Sequence, residues 1–142
     1  MLKRRKFFQS ERDFIAQRAN GYCEYCQTPF DFSPESFQLE HIAPLAKGGT
    51  NELENIAFSC GGCNGRKSSK TQGIDPITNA EVSFFHPRLD IWKEHFDWKE
   101  DSTIIDGKTT VGRTTIAVLD LNRNGLINLR KALILFGVHP PK

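Results

Sequence analysis

No stretch of this 142-residue sequence approaches the roughly 20 consecutive apolar residues that a membrane-spanning helix needs, so no membrane partner is expected. Internal repeats and low-complexity tracts are also missing, which excludes solenoids and leaves one ordinary domain or a small module with an appendage. An excess of charge is lacking too: 19 Lys and Arg face 17 Asp and Glu, and the net of +2 is too weak to argue for nucleic acid alone. The start, Met1-Leu2-Lys3-Arg4-Arg5-Lys6-Phe7-Phe8, is basic like a secretory leader. Ser10-Glu11-Arg12-Asp13 interrupts it before any apolar segment develops, so a cytoplasmic location is expected. Cysteine is scarce at four, and in a reducing compartment paired cysteines are metal ligands more often than disulfides.

All four cysteines are spent on two CxxC pairs, Cys23-Glu24-Tyr25-Cys26 and Cys60-Gly61-Gly62-Cys63. Four thiolates in two such pairs complete a tetrahedral Zn²⁺ shell with no open position, the structural kind of site. Between the pairs lies Glu40-His41. Closing the clamp would fix where this carboxylate and imidazole point.

The spacing predicts a helix from Ser10 as N-cap through Ala19, ended by Asn20-Gly21. Residues 27–36, with Pro29 and Pro34, form a loop. Phe37–Ile42 alternates as a half-buried strand that sends Glu40 and His41 to opposite faces. A Gly48-Gly49 turn, a short strand over 56–59 and a polar helix over Asn64–Lys70 follow. Residues 71–80 read as a linker. Beyond it, strands are expected over 82–85, 89–96 and 103–105, the last ending at an Asp106-Gly107 turn. Helices then follow over 110–119 and 124–136, the second burying Leu126, Leu129, Leu133 and Phe136.

The ten Lys and Arg of residues 1–70 face eight acids, whereas residues 71–142 balance at nine of each. The excess gathers in Lys3–Lys6 and in Arg66-Lys67 with Lys70. The first group reads equally as a solvated arm or as a phosphate-seeking one.

Residues 12–70 resemble the HNH endonucleases. The segments that carry the likeness are Arg18-Ala19-Asn20-Gly21-Tyr22-Cys23-Glu24-Tyr25-Cys26, Leu39–Thr50, Leu53-Glu54-Asn55-Ile56 and Cys60–Lys67. The resemblance implies an α+β fold: a treble-clef-like ββα-metal core over residues 10–70, stapled by structural zinc at Cys23, Cys26, Cys60 and Cys63. A mixed C-terminal extension over 81–142, packed on the core and ending in two helices, would complete the chain. It further implies metal-dependent hydrolysis of DNA, with RNA as a second candidate. His41 would be the general base, Asn55 would position its loop, and Glu40 and Asn64 would hold the catalytic ion. Many members carry Asp before the histidine and His at the last position. Glu and Asn are hard oxygen donors and favour Mg²⁺ or Mn²⁺. Arg66, Lys67 and Lys47 are the expected phosphate contacts. Arg88, Arg113 and Arg123 are weaker candidates in a tail similar to that of a group of small bacterial HNH proteins, and Trp92, Phe96 and Trp98 are assigned to its core.

The physical case stands beside the likeness. A histidine of ordinary pKa about 6.5 can take a proton from water near neutrality. A divalent ion can hold charge on phosphate and leaving oxygen. The rival reading is a non-catalytic zinc module binding nucleic acid or protein, which leaves Glu40, His41, Asn55 and Asn64 without a purpose. A zinc deaminase is excluded: there is no His-x-Glu, and Ser59 instead of Pro precedes Cys60.

Overall fold

In the computed structural model, which describes residues 2–142, the chain separates into two compact units. The first comprises the residues up to Thr71 together with His86–Leu89; the second comprises Gln72–Phe85 and Asp90–Lys142.

The first unit is built from α1 (Gln9–Arg18), a hairpin of β1 (Phe37–His41) and β2 (Ile56–Cys60), and α2 (Gly61–Lys67). The two strands are antiparallel, with Phe37 opposite Cys60, Leu39 opposite Phe58 and His41 opposite Ile56. One face of the hairpin joins Phe7 and Ile15 in an apolar core of Leu39, Ile56 and Phe58. Phe37 packs on Phe58 and Phe30 at centroid distances of 4.8 and 5.3 Å. Fully burying residues such as Ile15 and Ile56 contributes about 1.5–3 kcal/mol each, a modest total for so small a core. The strand-to-helix junction is immediate. α2 begins at Gly61, not at Asn64 as predicted, so Cys60 caps it and Cys63 lies one turn in.

The start of α1 also differs from the sequence reading. Phe8, not Ser10, is the N-cap, and its backbone N–H donates to the Glu11 carboxylate at 2.9 Å. The same carboxylate takes both terminal nitrogens of Arg5 at 2.9 Å, so part of the basic arm is pinned to α1. The end is as expected, with Asn20 and Gly21 both left-handed. In the loop after β1, Gly49 has no alternative: a Cβ there would lie 1.8 Å from the Ala43 carbonyl oxygen.

The second unit holds two hairpins and three helices: β3 (Gln72–Ile74) with β4 (Glu81–Ser83), α3 (Trp92–His95), β5 (Phe96–Lys99) with β6 (Ile104–Gly107), α4 (Thr110–Leu119) and α5 (Asn124–Leu135). The stretch read as a linker contains β3 and its turn. Asp75 organises that turn, accepting from the Thr78 hydroxyl at 2.6 Å and from Arg113 through two bonds of 2.9 Å. The predicted strand over 89–96 is instead a loop and the short α3. Its apolar residues Leu89 and Ile91 are exposed, and only Phe96 enters the core. β6 runs on through the Asp106-Gly107 pair predicted as a turn, and the hairpin turn before it is made by Glu100, Asp101 and Ser102, all with left-handed backbone. Phe136, expected inside, is exposed, whereas Arg130 is buried on the inner face of α5 with Leu126 and Leu133. Its guanidinium donates to the carbonyls of Thr103 (3.0 Å) and Leu121 (2.6 Å) and to Asn122 Oδ1 (3.2 Å). Trp92, Phe96 and Trp98 stack on one another at 4.9 and 5.4 Å.

Two outcomes follow for this unit. Arg130→Ala removes the guanidinium from the Thr103 and Leu121 carbonyls, the second of them buried, and should cost about 2–4 kcal/mol, read as a lower urea midpoint. The Arg113 guanidinium and the Thr78 bonds hold the Asp75 carboxyl well below the usual carboxylate range. A depressed folded pKa adds stability above the unfolded value of about 4 that is lost as pH falls through the folded one. Asp75→Asn should therefore flatten the acid limb of a melting-temperature profile measured from pH 5 downward.

Candidate active site and its metal clamp

The four cysteines, each buried, bring their sulfurs within 4.8 Å of one another. Cys26 Sγ lies 3.7 Å from Cys60 Sγ, close to the roughly 3.8 Å edge of a tetrahedron with Zn–S arms of about 2.3 Å. The Cys60 thiol is held far below its ordinary value by hydrogen bonds with the other three, while burial pushes the Cys23 thiol up. Without a cation such a nest shares few negative charges; a dication would let all four ionise. The donor set, spacing and burial fit structural zinc.

The residues inside the first knuckle do as much as its cysteines. Glu24 accepts from the Phe58 backbone N–H at 2.9 Å and pairs with Arg88, tying the knuckle to β2. Burial lowers the Arg88 guanidinium to about 10. Tyr25, wholly buried, donates its hydroxyl to Glu40 Oε2 at 2.8 Å.

Glu40 is 4% exposed, and its other oxygen lies 2.5 Å from the ammonium of Lys67, itself 2% exposed. Oε1 meets that ammonium as an ion pair without in-line hydrogen-bond geometry, and it has no other partner. Burial raises the Glu40 carboxyl, while Lys67 and Tyr25 act in the opposite direction. Lys67 also donates to the carbonyl oxygens of His41 (3.4 Å) and Ile42 (3.0 Å). It is therefore not the exposed phosphate contact that the sequence pattern indicated. The polar helix predicted over Asn64–Lys70 would have placed it on a solvated face, but α2 stops at Lys67 and turns that side chain inward.

His41 ends β1, buried at 8% exposure. Its Nε2 lies 2.9 Å from Asn51 Oδ1, while Asn51 Nδ2 donates to the Lys3 carbonyl at 2.9 Å. That second bond sets the amide orientation, so Nε2 carries the proton and Nδ1 keeps its lone pair. Arg4 stands 3.4 Å from Nδ1. Asn55 braces the following loop by accepting from Ala43 N–H (2.8 Å) and donating to the carbonyls of Ala43 (2.9 Å) and Thr50 (2.8 Å).

Glu40, His41 and Asn64 line one pocket of about 240 Å³, together with Arg4, Pro44 and Leu45. Adjacent strand residues leave the pleat on opposite sides, yet both reach this pocket because it opens where β1 ends. A larger cleft of about 700 Å³ beside α1, Phe30 and Phe37 contains none of the three. Arg66 and Lys47 are exposed and do not line the pocket. Arg88, Arg113 and Arg123 are engaged within the protein, the last with the carbonyls of Leu119 and Asp120. Sequence reasoning missed Tyr25 and Asn51, and it took in Arg4 only as part of the basic Lys3–Lys6 arm. Tyr25 was signalled by lying inside a CxxC pair; Asn51 carried no local signal.

Among the described residues no helix is long and apolar enough to cross a membrane. Comparison with known proteins finds the HNH endonuclease family model matching residues 23–70. Septu protein PtuB of Bacillus thuringiensis is 29% identical over 111 residues, 77% of this chain and 40% of that protein. Septu protein PtuA of Bacillus mycoides is 28% identical over 140 residues, 82% of this chain and 20% of that one. The CRISPR-associated endonuclease Cas9 of Corynebacterium diphtheriae is 41% identical over 54 residues, 37% of this chain and 5% of its own length. The chain thus spans well under half of each of these relatives. No solved structure matches significantly. On the family match, the clustered cysteines and the ββα order of β1, β2 and α2, the segment from Cys23 to Lys70 belongs to the HNH endonuclease family.

Proposed function

We propose that the protein is an HNH endonuclease that hydrolyses phosphodiester bonds in DNA with the help of a divalent ion. The observation that carries this reading is the shared pocket: a histidine whose Nδ1 lone pair meets only a distant Arg4 nitrogen, a carboxylate and an amide, all at one strand end. A zinc interaction module would need none of these. The Cas9 relative, an endonuclease by name, agrees with nuclease-type chemistry.

In this mechanism Nδ1 of His41 accepts a proton from the attacking water. Asn51 holds the ring by its opposite nitrogen and keeps the neutral tautomer in place. Asn55 fixes the loop that leaves His41, so the imidazole does not swing with it. Glu40 and Asn64 are hard oxygen donors in the same pocket and would hold Mg²⁺ or Mn²⁺. Such an ion, when bound, supplies positive charge to the scissile phosphate and the leaving oxygen. Tyr25 and Lys67 favour the ionised form of Glu40, which that role requires. Exposed Arg66 and Lys47 would contact flanking backbone phosphates at sites screened by salt. The zinc clamp and the 10–70 core would form the catalytic unit, with a cytoplasmic location and a C-terminal extension of separate role. The four buried sulfurs would hold one Zn²⁺ as scaffold, outside the chemistry.

Purified protein with zinc retained should nick or cut plasmid DNA only when Mg²⁺ or Mn²⁺ is added, and His41→Ala should lose about 10²–10⁴-fold in rate. Asn64→Ala should need more Mn²⁺ for half-maximal cutting. If wild type and His41→Ala are equally inert on every DNA and RNA form, the interaction-module reading replaces this one. Elemental analysis should find one zinc per chain, and stripping it with a strong chelator should abolish the cooperative melt of the first unit.

A further inference from the structure

The arm from Lys3 to Phe7 is too well held to be a solvated tail. Phe7 is 8% exposed and belongs to the apolar core with Ile15 and Leu39. Arg5 is forked onto Glu11, and the Lys3 carbonyl takes the Asn51 amide at 2.9 Å. Between these anchors Arg4 enters the pocket that also holds Glu40, His41, Asn64, Ser68 and Ser69. One terminal nitrogen donates to the Leu39 carbonyl at 2.5 Å, and the other stands 3.4 Å from His41 Nδ1. The first bond is short and fixes the group. The second is longer than the usual 2.7–3.2 Å of a hydrogen bond and is a weak hold.

We propose that Arg4 is a catalytic residue of the nuclease site: its guanidinium binds a non-bridging oxygen of the scissile phosphate. The inference rests on the nuclease reading above. A guanidinium has five donors in a planar fork, and Leu39 engages one nitrogen only, so donors remain for an anion. A phosphate oxygen is a far better acceptor for them than the distant imidazole nitrogen. Its arrival would draw the fork from Nδ1 and free that lone pair for water. The arginine stays charged throughout and transfers no proton. At about 240 Å³ the pocket has room for a phosphodiester group and its waters, below the roughly 300 Å³ at which small-molecule sites usually begin. Charge also argues for this role. Glu40 is balanced by Lys67, which leaves Arg4 as the pocket's own cation directed at an incoming phosphate.

The test compares wild type, Arg4→Ala, Arg4→Lys and the arm control Lys6→Gln on supercoiled plasmid with Mn²⁺. Binding of a short duplex across a NaCl series is measured in parallel in a His41→Ala background. Arg4→Ala should lower kcat about a hundredfold, as loss of one transition-state donor does, with KM within a few-fold of wild type. Arg4→Lys should recover part of the rate, and Lys6→Gln should cut at the wild-type rate. Without Arg4 the salt slope of binding should shrink by about one phosphate contact. Equal kcat and an unchanged slope in Arg4→Ala overturn the proposal. So does a rate loss matched by lost zinc and a lower melting temperature, which would make Arg4 a packing residue. An inert wild type sinks the nuclease reading instead, and the salt slope alone then decides whether Arg4 meets phosphate.

Discussion

Four sulfurs within 4.8 Å of one another impose more order on the first unit than its apolar core can. Each CxxC pair is one end of a longer element. The first ends the loop that follows α1, and the second joins β2 to α2. Bringing the pairs together fixes the β1–β2 hairpin against the first knuckle, and the pocket residues follow from that single closure. Glu40 meets Tyr25 because Tyr25 lies between two ligands. Asn64 reaches the pocket because it follows a third. The module is too small to bury much apolar surface, so zinc in the clamp would supply folding energy and geometry together.

Burying a carboxylate is expensive, and the fold meets that cost with two donors of different kinds. Lys67 gives charge and Tyr25 gives a directed hydrogen bond. Removing one partner of such a pair is far more damaging than the pair is stabilising, since it strands a charge in low dielectric. The lysine is therefore no decoration of α2. It also holds the His41 and Ile42 carbonyls, so the same ammonium acts on the backbone at His41 and on the ionisation of Glu40 beside it.

The parts of this structure legible in the sequence were those with local chemical signatures. Cys23, Cys26, Cys60 and Cys63 announced a clamp by spacing, Phe37–His41 announced a strand by alternation, and Asn20-Gly21 announced a helix end by backbone preference. Glu40, His41 and Asn64 were picked out together by a motif, and they do share one pocket. What the sequence concealed were long cations whose partners are remote in the chain. Lys67, Arg88 and Arg113 read as phosphate-facing residues and Arg130 drew no reading at all, yet each is bound to an acceptor fixed by tertiary structure. Asn51 is ten residues from His41, at a distance no period encodes. The 89–96 stretch misled for the opposite reason: it carries the apolar and aromatic residues of a strand, but Leu89 and Ile91 remain in solvent and Trp92–His95 form a short helix.

The pairing of Glu40 with Lys67 bears directly on how the site would work. A carboxylate reserved for a divalent ion must stay ionised before the ion arrives, although burial opposes this. A resident ammonium supports that state from one side while leaving the pocket's other donors unspent. A dication held there would compete with Lys67 for the Glu40 carboxylate, so its affinity would reflect a difference between two cations and not the bare attraction of one. Weak, exchangeable binding is the expected consequence, in contrast to the closed cysteine clamp. One chain would then treat its two metals differently: zinc held by four buried thiolates to build the site, and a hard ion held loosely by Glu40 and Asn64 to use it.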